Sequence, residues 1–333
     1  MRGPSTASQS TAIGSKFALA SQMLRCESEP GFKKKEIPAQ LMDGPAMRWA
    51  ERPRPDGKKS EGEESDAVES RRQGLHYREI FLDKINRAAY SSRAALKYYD
   101  PRMDLFEAER VILEQLTPHI KDRKLFDIGV GAGRTTPYLR NLSHDYTGID
   151  YSRPLIERAK AKFGIETLYF CDVRDLSDFA PEKFDFAMCS FNGLDLISHR
   201  DRLRALREIH RVLKFDGFFV FSAHNRGSPP GRKPSRRGTT MRSFIWSKLL
   251  LLGHWGLKPF EVFEKQYAIL HDSWIGRYHP VFTYYIAVPA QVEQLQECGF
   301  DRVEAYDMKG GKIRDDHESP WIHYVARKRP ALS

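Results

Sequence analysis

Residues 124–139 read Lys-Leu-Phe-Asp-Ile-Gly-Val-Gly-Ala-Gly-Arg-Thr-Thr-Pro-Tyr-Leu. Leu125, Phe126 and Ile128 form a short apolar run suited to a buried strand, and three glycines follow at alternate positions, Gly129, Gly131 and Gly133. Thr135 and Thr136 then open a helical pattern. Strand, glycine turn and helix N-terminus together make a cradle for a nucleotide-like ligand, because glycine lets the backbone approach closely and the helix end offers free N–H groups. Asp127, at the end of the strand, is placed to hold a hydroxyl or a cation. A dinucleotide fingerprint would run Gly-x-Gly-x-x-Gly. Here Arg134 stands at the third glycine's place, and there is no phosphate-loop lysine signature.

Outward from this stretch, apolar runs and amphipathic segments alternate. Strands are expected near 125–129, 146–150, 167–171, 184–190 and 217–222, and helices near 135–142, 153–163 and 200–213. Ser152 reads as a helix N-cap and Gly164 as that helix's end. Such alternation gives a parallel sheet with helices on both faces. Further on, a strand at 282–286, a helix from Pro289 to Cys298 and strands at 301–306 and 322–327 close the pattern. Upstream, Tyr77, Ile80, Phe81, Ile85 and Ala88 keep helical spacing, as do Leu105, Val111, Ile112 and Leu116.

In an open parallel sheet the ligand lies across the carboxyl ends of the strands. The second strand ends in Asp150-Tyr151, about twenty residues past the first glycine, where a carboxylate accepts from ribose hydroxyls. The third ends in Cys171-Asp172-Val173, with Asp172 an acceptor for an adenine amino group and the Val173 backbone beside it. The fourth ends in Ser190-Phe191-Asn192, and the fifth in His224-Asn225.

Asp-x-Gly-x-Gly-x-Gly-Arg at 127–134, with these strand ends in this order, resembles the class I S-adenosylmethionine-dependent methyltransferases of small-molecule type. The resemblance covers residues 125–328. It implies a Rossmann-like, seven-stranded, mostly parallel α/β sheet, an N-terminal helical lid around Tyr99-Asp100, and an insertion after the fifth strand at 227–282. It implies S-adenosylmethionine as cofactor, held by Asp127, Gly129, Gly131, Gly133, Asp150, Tyr151, Asp172, Val173, Ser190, Phe191 and Asn192. Methyl transfer to a small-molecule acceptor follows, with oxygen slightly preferred to nitrogen and an anionic, sugar or lipid-linked molecule as the candidate acceptor. His224 is the candidate general base because imidazole titrates near neutrality, and Asn225 and Asn192 are candidate acceptor-orienting groups. His254, His271 and His279 are weaker candidates. No metal is expected. The fold hosts many acceptors, so the acceptor is not implied. A non-catalytic cofactor-binding scaffold and a nicotinamide-dependent oxidoreductase are the competing readings; Arg134 and the lack of a Tyr-x-x-x-Lys pair weigh against the second.

Charge and composition fill in the rest. The chain has 333 residues, 41% hydrophobic, and a formal charge of +10. Residues 1–74 carry 13 basic and 11 acidic groups with turn-forming Pro-Gly and Asp-Gly pairs, and read as a disordered extension of the 75–333 domain. Residues 1–25 lack acids, as a transit peptide does, although a tail without a targeting role is the preferred reading. From Arg226 to Lys258 there are 8 basic residues and no acidic one. Three readings of this insertion stay open: a lid whose cations meet an anionic acceptor, an interfacial helix at 241–256 in peripheral membrane contact, and an ordinary helical cap. Nucleic acid is not an expected partner, since no aromatic–basic interleaving is present. Four scattered cysteines without Cys-x-x-Cys spacing fit a reducing, cytoplasmic setting. Cys171 and Cys189 read as small core residues, and the oligomeric state is not readable.

Overall fold

All four residues of β1 (Leu125–Ile128) are buried. A strand covered on both faces loses the alternation of a half-exposed one, which is why its sequence is so apolar. The computed structural model describes residues 77–100, 104–228, 257, 260–276, 279–315 and 317–329. Residues 1–74 and the segment 229–256, with His254 and the expected interfacial helix, lie outside the described residues.

Around β1 runs the expected alternation: α1 (77–90), α2 (Arg93–Tyr99), α3 (Glu107–Ile120), α4 (Thr136–Leu142), β2 (Tyr146–Asp150), α5 (Arg153–Phe163), β3 (Leu168–Phe170), β4 (Phe184–Cys189), a 3-10 turn (Gly193–Leu196), α6 (His199–Val212) and β5 (Leu213–Asn225). There follow β6 (Val262–Phe263), β7 (Tyr267–Ile275), β8 (His279–Ile286), α7 (Val288–Glu297), β9 (Phe300–Tyr306), β10 (Lys312–Ile313) and β11 (Trp321–Lys328). The main path of the sheet is β10-β9-β11-β5-β4-β1-β2-β3. Its central strands β3, β2, β1, β4 and β5 are parallel, and β11 and β9 join antiparallel.

The sheet has eleven strands among the described residues, not seven. Part of the surplus comes from the insertion. Its described part forms β6 and β7, which run antiparallel onto β8. β8 in turn pairs parallel with the last two residues of β5, His224 opposite Tyr285 and Asn225 opposite Ile286. Sequence periodicity concealed β7 because it carries Asp272 and Ser273 at a register shift, which breaks the two-residue alternation. β5 is also longer than expected, starting at Leu213 before Gly217.

Packing divides neatly across the sheet. Phe126, Phe184, Phe219 and Phe221 join one apolar cluster with residues of α1, α6 and α7. Leu125, Phe186, Met188 and Val220 face the other, with residues of α3, α4 and α5. Phe126 stacks on Phe184 with ring centroids 4.3 Å apart. Helix ends follow simple chemistry: Ser92 and Ser198 cap α2 and α6, and Gly164 closes α5 at φ +61. Ser152 occupies the N-cap of α5 as expected, but its hydroxyl donates to the Tyr90 carbonyl.

Helix α1 is pinned over the carboxyl end of the sheet by one buried amide. Asn86 Nδ2 donates to the Leu196 and Phe282 carbonyls at 2.7 and 2.8 Å, and its Oδ1 accepts from the Phe282 N–H at 2.9 Å. Asn86→Ala strands three backbone groups, each costing about 1–3 kcal/mol when buried without a partner. The expected result is a stability loss of about 3 kcal/mol or more, read as the midpoint shift in urea unfolding.

Candidate functional site

At the carboxyl ends of β1, β2 and β4 lies a cleft, bordered by the glycine turn after β1 and by the residues that follow β2 and β4. Gly129 and Gly131 line it at φ +71 and +59, and a Cβ built on either meets nothing within 4 Å. The loop is therefore open on the side from which a ligand would come. Gly133 has a different task. It does not line the cleft, and a Cβ there would lie 2.2 Å from the Phe163 ring, so this glycine lets α5 pack against the loop.

Asp150 lines the cleft and is almost wholly buried. Its Oδ2 accepts from the Gly131 N–H at 2.7 Å and its Oδ1 from the Ser152 N–H at 2.6 Å. Burial pushes its carboxyl up to about 6 against the pull of those two donors. Beside it, Tyr151 lines the cleft with a buried hydroxyl that has no partner. Val173, Ser190 and Phe191 also line it, as do Cys171 and Cys189. The two cysteines thus bound the cleft as well as filling the core.

Six expected site residues do not line the cleft: Gly133, Asp127, Asp172, Asn192, Asn225 and His224. Asp127 is fully buried behind the loop, where Oδ2 accepts from Thr135 Oγ1 at 2.7 Å and from the Tyr146 hydroxyl at 2.8 Å. Burial raises its carboxyl to about 6. It ties the loop to α4 and β2 and does not border the cleft. Asp172 also falls outside the lining. Its carboxylate accepts from Arg87 and from Arg174, whose other contacts are Asp83 and Asp201. Burial nevertheless raises Asp172 above the usual carboxylate range. Two arginines reach it because α1 and the turn after β3 converge there, which no local pattern announces. Asn225 spends its amide on the loop before β11, donating to the His317 and Ser319 carbonyls and accepting from the Gly227 N–H. Asn192, at φ +57, lies just beyond the lining.

Phe191 shares that left-handed backbone, at φ +55, which a bulky side chain adopts only under constraint. The constraint is aromatic: Phe106, Tyr99 and Trp321 surround its ring at 5.2, 5.7 and 5.4 Å. Tyr90 and Tyr99, from α1 and α2, complete the wall of the cleft.

In the sequence Arg134 stands out only as the residue at the third glycine's place. Its guanidinium lines the cleft and forms a buried two-pronged pair with Glu109, at 2.8 Å on each arm. It also donates to the Asp104 carbonyl and to Ser190, with the Phe106 ring 4.5 Å away. Burial opposes a charge on Glu109, yet the bonds from Arg134 and Ser190 bring its carboxyl below the usual range.

His224 does not border the cleft; its ring lies 5.2 Å from Tyr285 and 5.7 Å from Trp321, which packs against the cleft-lining Phe191. Nδ1 is 2.8 Å from Asp195 Oδ2, which also accepts the His224 backbone N–H at 2.6 Å. Asp195, in the 3-10 turn, was not singled out from sequence; nothing local marks it. Of the basic insertion, Arg226 is described, and its guanidinium donates to the Glu264 and Lys265 carbonyls. His271 is buried in β7, and His279 begins β8. Among the described residues no group of three His, Cys, Asp or Glu could hold a metal ion, and no helix is long and apolar enough to cross a membrane.

Residues 126–221 match the sequence model of a methyltransferase domain. The chain is 28% identical over 130 residues to the uncharacterized methyltransferase YodH of Bacillus subtilis, covering 37% of this chain and 53% of that one. It is 24% identical over 171 residues to the ubiquinone biosynthesis O-methyltransferase of Alkalilimnicola ehrlichii, covering 48% and 64%. The match therefore spans less than two thirds of either relative. The CcbJ methyltransferase of Streptomyces caelestis superposes with a TM-score of 0.47 and 17% identity over 67% of this chain and 90% of its own.

The Arg134–Glu109 pair carries a stability prediction. Glu109→Ala leaves a buried guanidinium unpaired, and breaking one side of such a pair costs about 3–5 kcal/mol. Chemical denaturation should show a loss of that size.

Proposed function

We propose that this chain, which belongs to the class I S-adenosylmethionine-dependent methyltransferases, transfers the cofactor's methyl group to a small-molecule acceptor, with oxygen preferred to nitrogen. The observation that carries the reading is the Asp150 carboxylate, buried at the end of β2 beside an open glycine turn. A buried carboxylate there fits the ribose hydroxyls of a nucleoside, and the unpartnered Tyr151 hydroxyl offers a further polar contact. Gly129 and Gly131 give the backbone approach, Val173 and Cys171 an apolar edge for the base, and Ser190, Phe191 and Arg134 the far end, where the amino-acid portion would lie.

When bound, the cofactor supplies a methyl group on a sulfonium with a good leaving group. Little covalent work is left to the protein, whose residues align the acceptor and keep water out. Phe191, Tyr90 and Tyr99 provide that exclusion. His224 is the general base for a hydroxyl acceptor; its ring lies 5.7 Å from that of Trp321, which in turn lies 5.4 Å from the ring of the cleft-lining Phe191. Asp127, Gly133 and Asp172 are assigned to the scaffold, and Asn225 to loop anchoring.

Isothermal calorimetry with S-adenosylmethionine and with NAD tests the cofactor pocket; binding of NAD in preference would sink the reading. A methyl-transfer screen with carbon-13-labelled cofactor against acceptor pools tests the reaction, and the shift of the labelled carbon separates oxygen from nitrogen acceptors. Asp150→Ala removes hydrogen bonds to a charged acceptor worth about 1.5–3 kcal/mol, so cofactor affinity should fall about 10- to 100-fold. In the intact chain the ionised carboxylate is the accepting form. With its carboxyl raised to about 6, affinity should be full above that pH and decline as pH falls through it. His224→Ala should leave cofactor affinity unchanged and cut turnover by about 100-fold or more.

A further inference from the structure

We propose that Asp195 is a positioning residue that fixes His224 in the tautomer with the proton on Nδ1, so that Nε2 presents its lone pair to the acceptor's hydroxyl. The inference rests on the reading of His224 as base and deepens it.

The polar groups around the ring all agree on one assignment. Asp195 is completely buried and its carboxylate lies 2.8 Å from Nδ1, so Nδ1 must donate. The other oxygen of Asp195 accepts from Arg202 NH1 at 2.6 Å. Arg202 is itself fully buried, and its remaining donors go to Gln294 Oε1 through Nε and to Gln291 Oε1 through NH2. Tyr284 and Phe221 lie against the guanidinium at 4.7 and 5.9 Å. The carboxylate therefore has no freedom to turn: Arg202 holds one oxygen, and the backbone N–H of His224 holds the other at 2.6 Å. A group clamped in this way orients the ring without taking part in the proton transfer itself.

On the far side, Nε2 lies 3.4 Å from Asn192 Nδ2. An amide N–H there requires Nε2 to accept, which is the tautomer Asp195 imposes. The contact is at the long limit for a hydrogen bond, and the Asn192 Oδ1 atom is buried with no partner. An acceptor hydroxyl can take the place of this weak contact: its proton goes to Nε2 while Asn192 turns Oδ1 or Nδ2 toward the incoming group. In the balanced step the acceptor oxygen's lone pair forms the O–CH3 bond as Nε2 takes its proton. The C–S bond breaks with its pair going to sulfur, and the positive charge that began on the sulfonium ends on the imidazolium. Asp195 faces that new charge across 2.8 Å. Because Asp195 is shared with Arg202, the dyad stays charge-balanced before the proton arrives.

Histidine-selective nitrogen-15 NMR of the full-length chain reads the tautomer directly, with the His224 signals identified by their loss in His224→Gln. The expected spectrum has a protonated-type Nδ1 and an unprotonated-type Nε2 at neutral pH. Asp195→Ala removes the acceptor opposite Nδ1, and the proton should shift toward Nε2, the site that an unconstrained neutral imidazole prefers. A wild-type ring protonated on Nε2, or a tautomer unchanged in Asp195→Ala, overturns the inference. If Asp195→Ala does not fold, the wild-type spectrum decides alone. Calorimetry with S-adenosylmethionine on the same sample keeps the two readings apart. Failed cofactor binding removes the proposed function, whereas intact binding with the wrong tautomer removes only the role of Asp195.

Discussion

The buried pair between Arg134 and Glu109 is the constraint on which the cleft depends. Two ions taken out of water repay their desolvation only with good geometry and with their remaining hydrogen-bond capacity filled. Here both arms of the guanidinium meet the carboxylate at 2.8 Å, while Asp104, Ser190 and the Phe106 N–H take what is left. The pair joins the glycine turn after β1, the first turn of α3 and the end of β4. It also sets the Phe106 ring against Phe191, whose left-handed backbone needs such a neighbour. One side chain thereby fixes three of the elements that bound the ligand space.

The scaffold is separated from the site by which way each carboxylate turns. Asp127 and Asp150 are both buried strand-end aspartates with carboxyls raised to about 6. Asp127 spends an oxygen on Thr135 and Tyr146 behind the loop; Asp150 stands at the cleft and bonds only backbone N–H groups. Asp172 belongs with the first, held by arginines from two directions. The glycines divide likewise, Gly129 and Gly131 toward the cleft and Gly133 toward Phe163. A short motif has served two ends, packing and ligand approach, within five residues.

The carboxyl end of β5 is organised by a second buried ion pair. Arg202 and Asp195 sit beneath His224 at full burial, with Gln291 and Gln294 from α7 completing the guanidinium's partners. Members of this network are separated by up to about a hundred residues in the chain. Such a cluster rigidifies the end of β5. β8 pairs with β5 at the same point, opposite His224 and Asn225.

By itself the sequence determined the parallel core, the helices over both faces, the glycine turn and the carboxylate of Asp150. Those features rest on local rules: apolar period, N-caps, and glycine at positive φ. It also located His224 at a strand end, since strand order fixes which residues share that edge. Only the tertiary structure decided that Asp127 and Asp172 lie outside the cleft lining, that Arg134 pairs with Glu109 at the cleft wall, and that Asp195 stands behind His224. β6 and β7 likewise emerged only in the fold. Each of these depends on contacts between distant segments, where a polar side chain takes whichever partner the packing brings within 3 Å. Spacing along the chain carries no record of that choice.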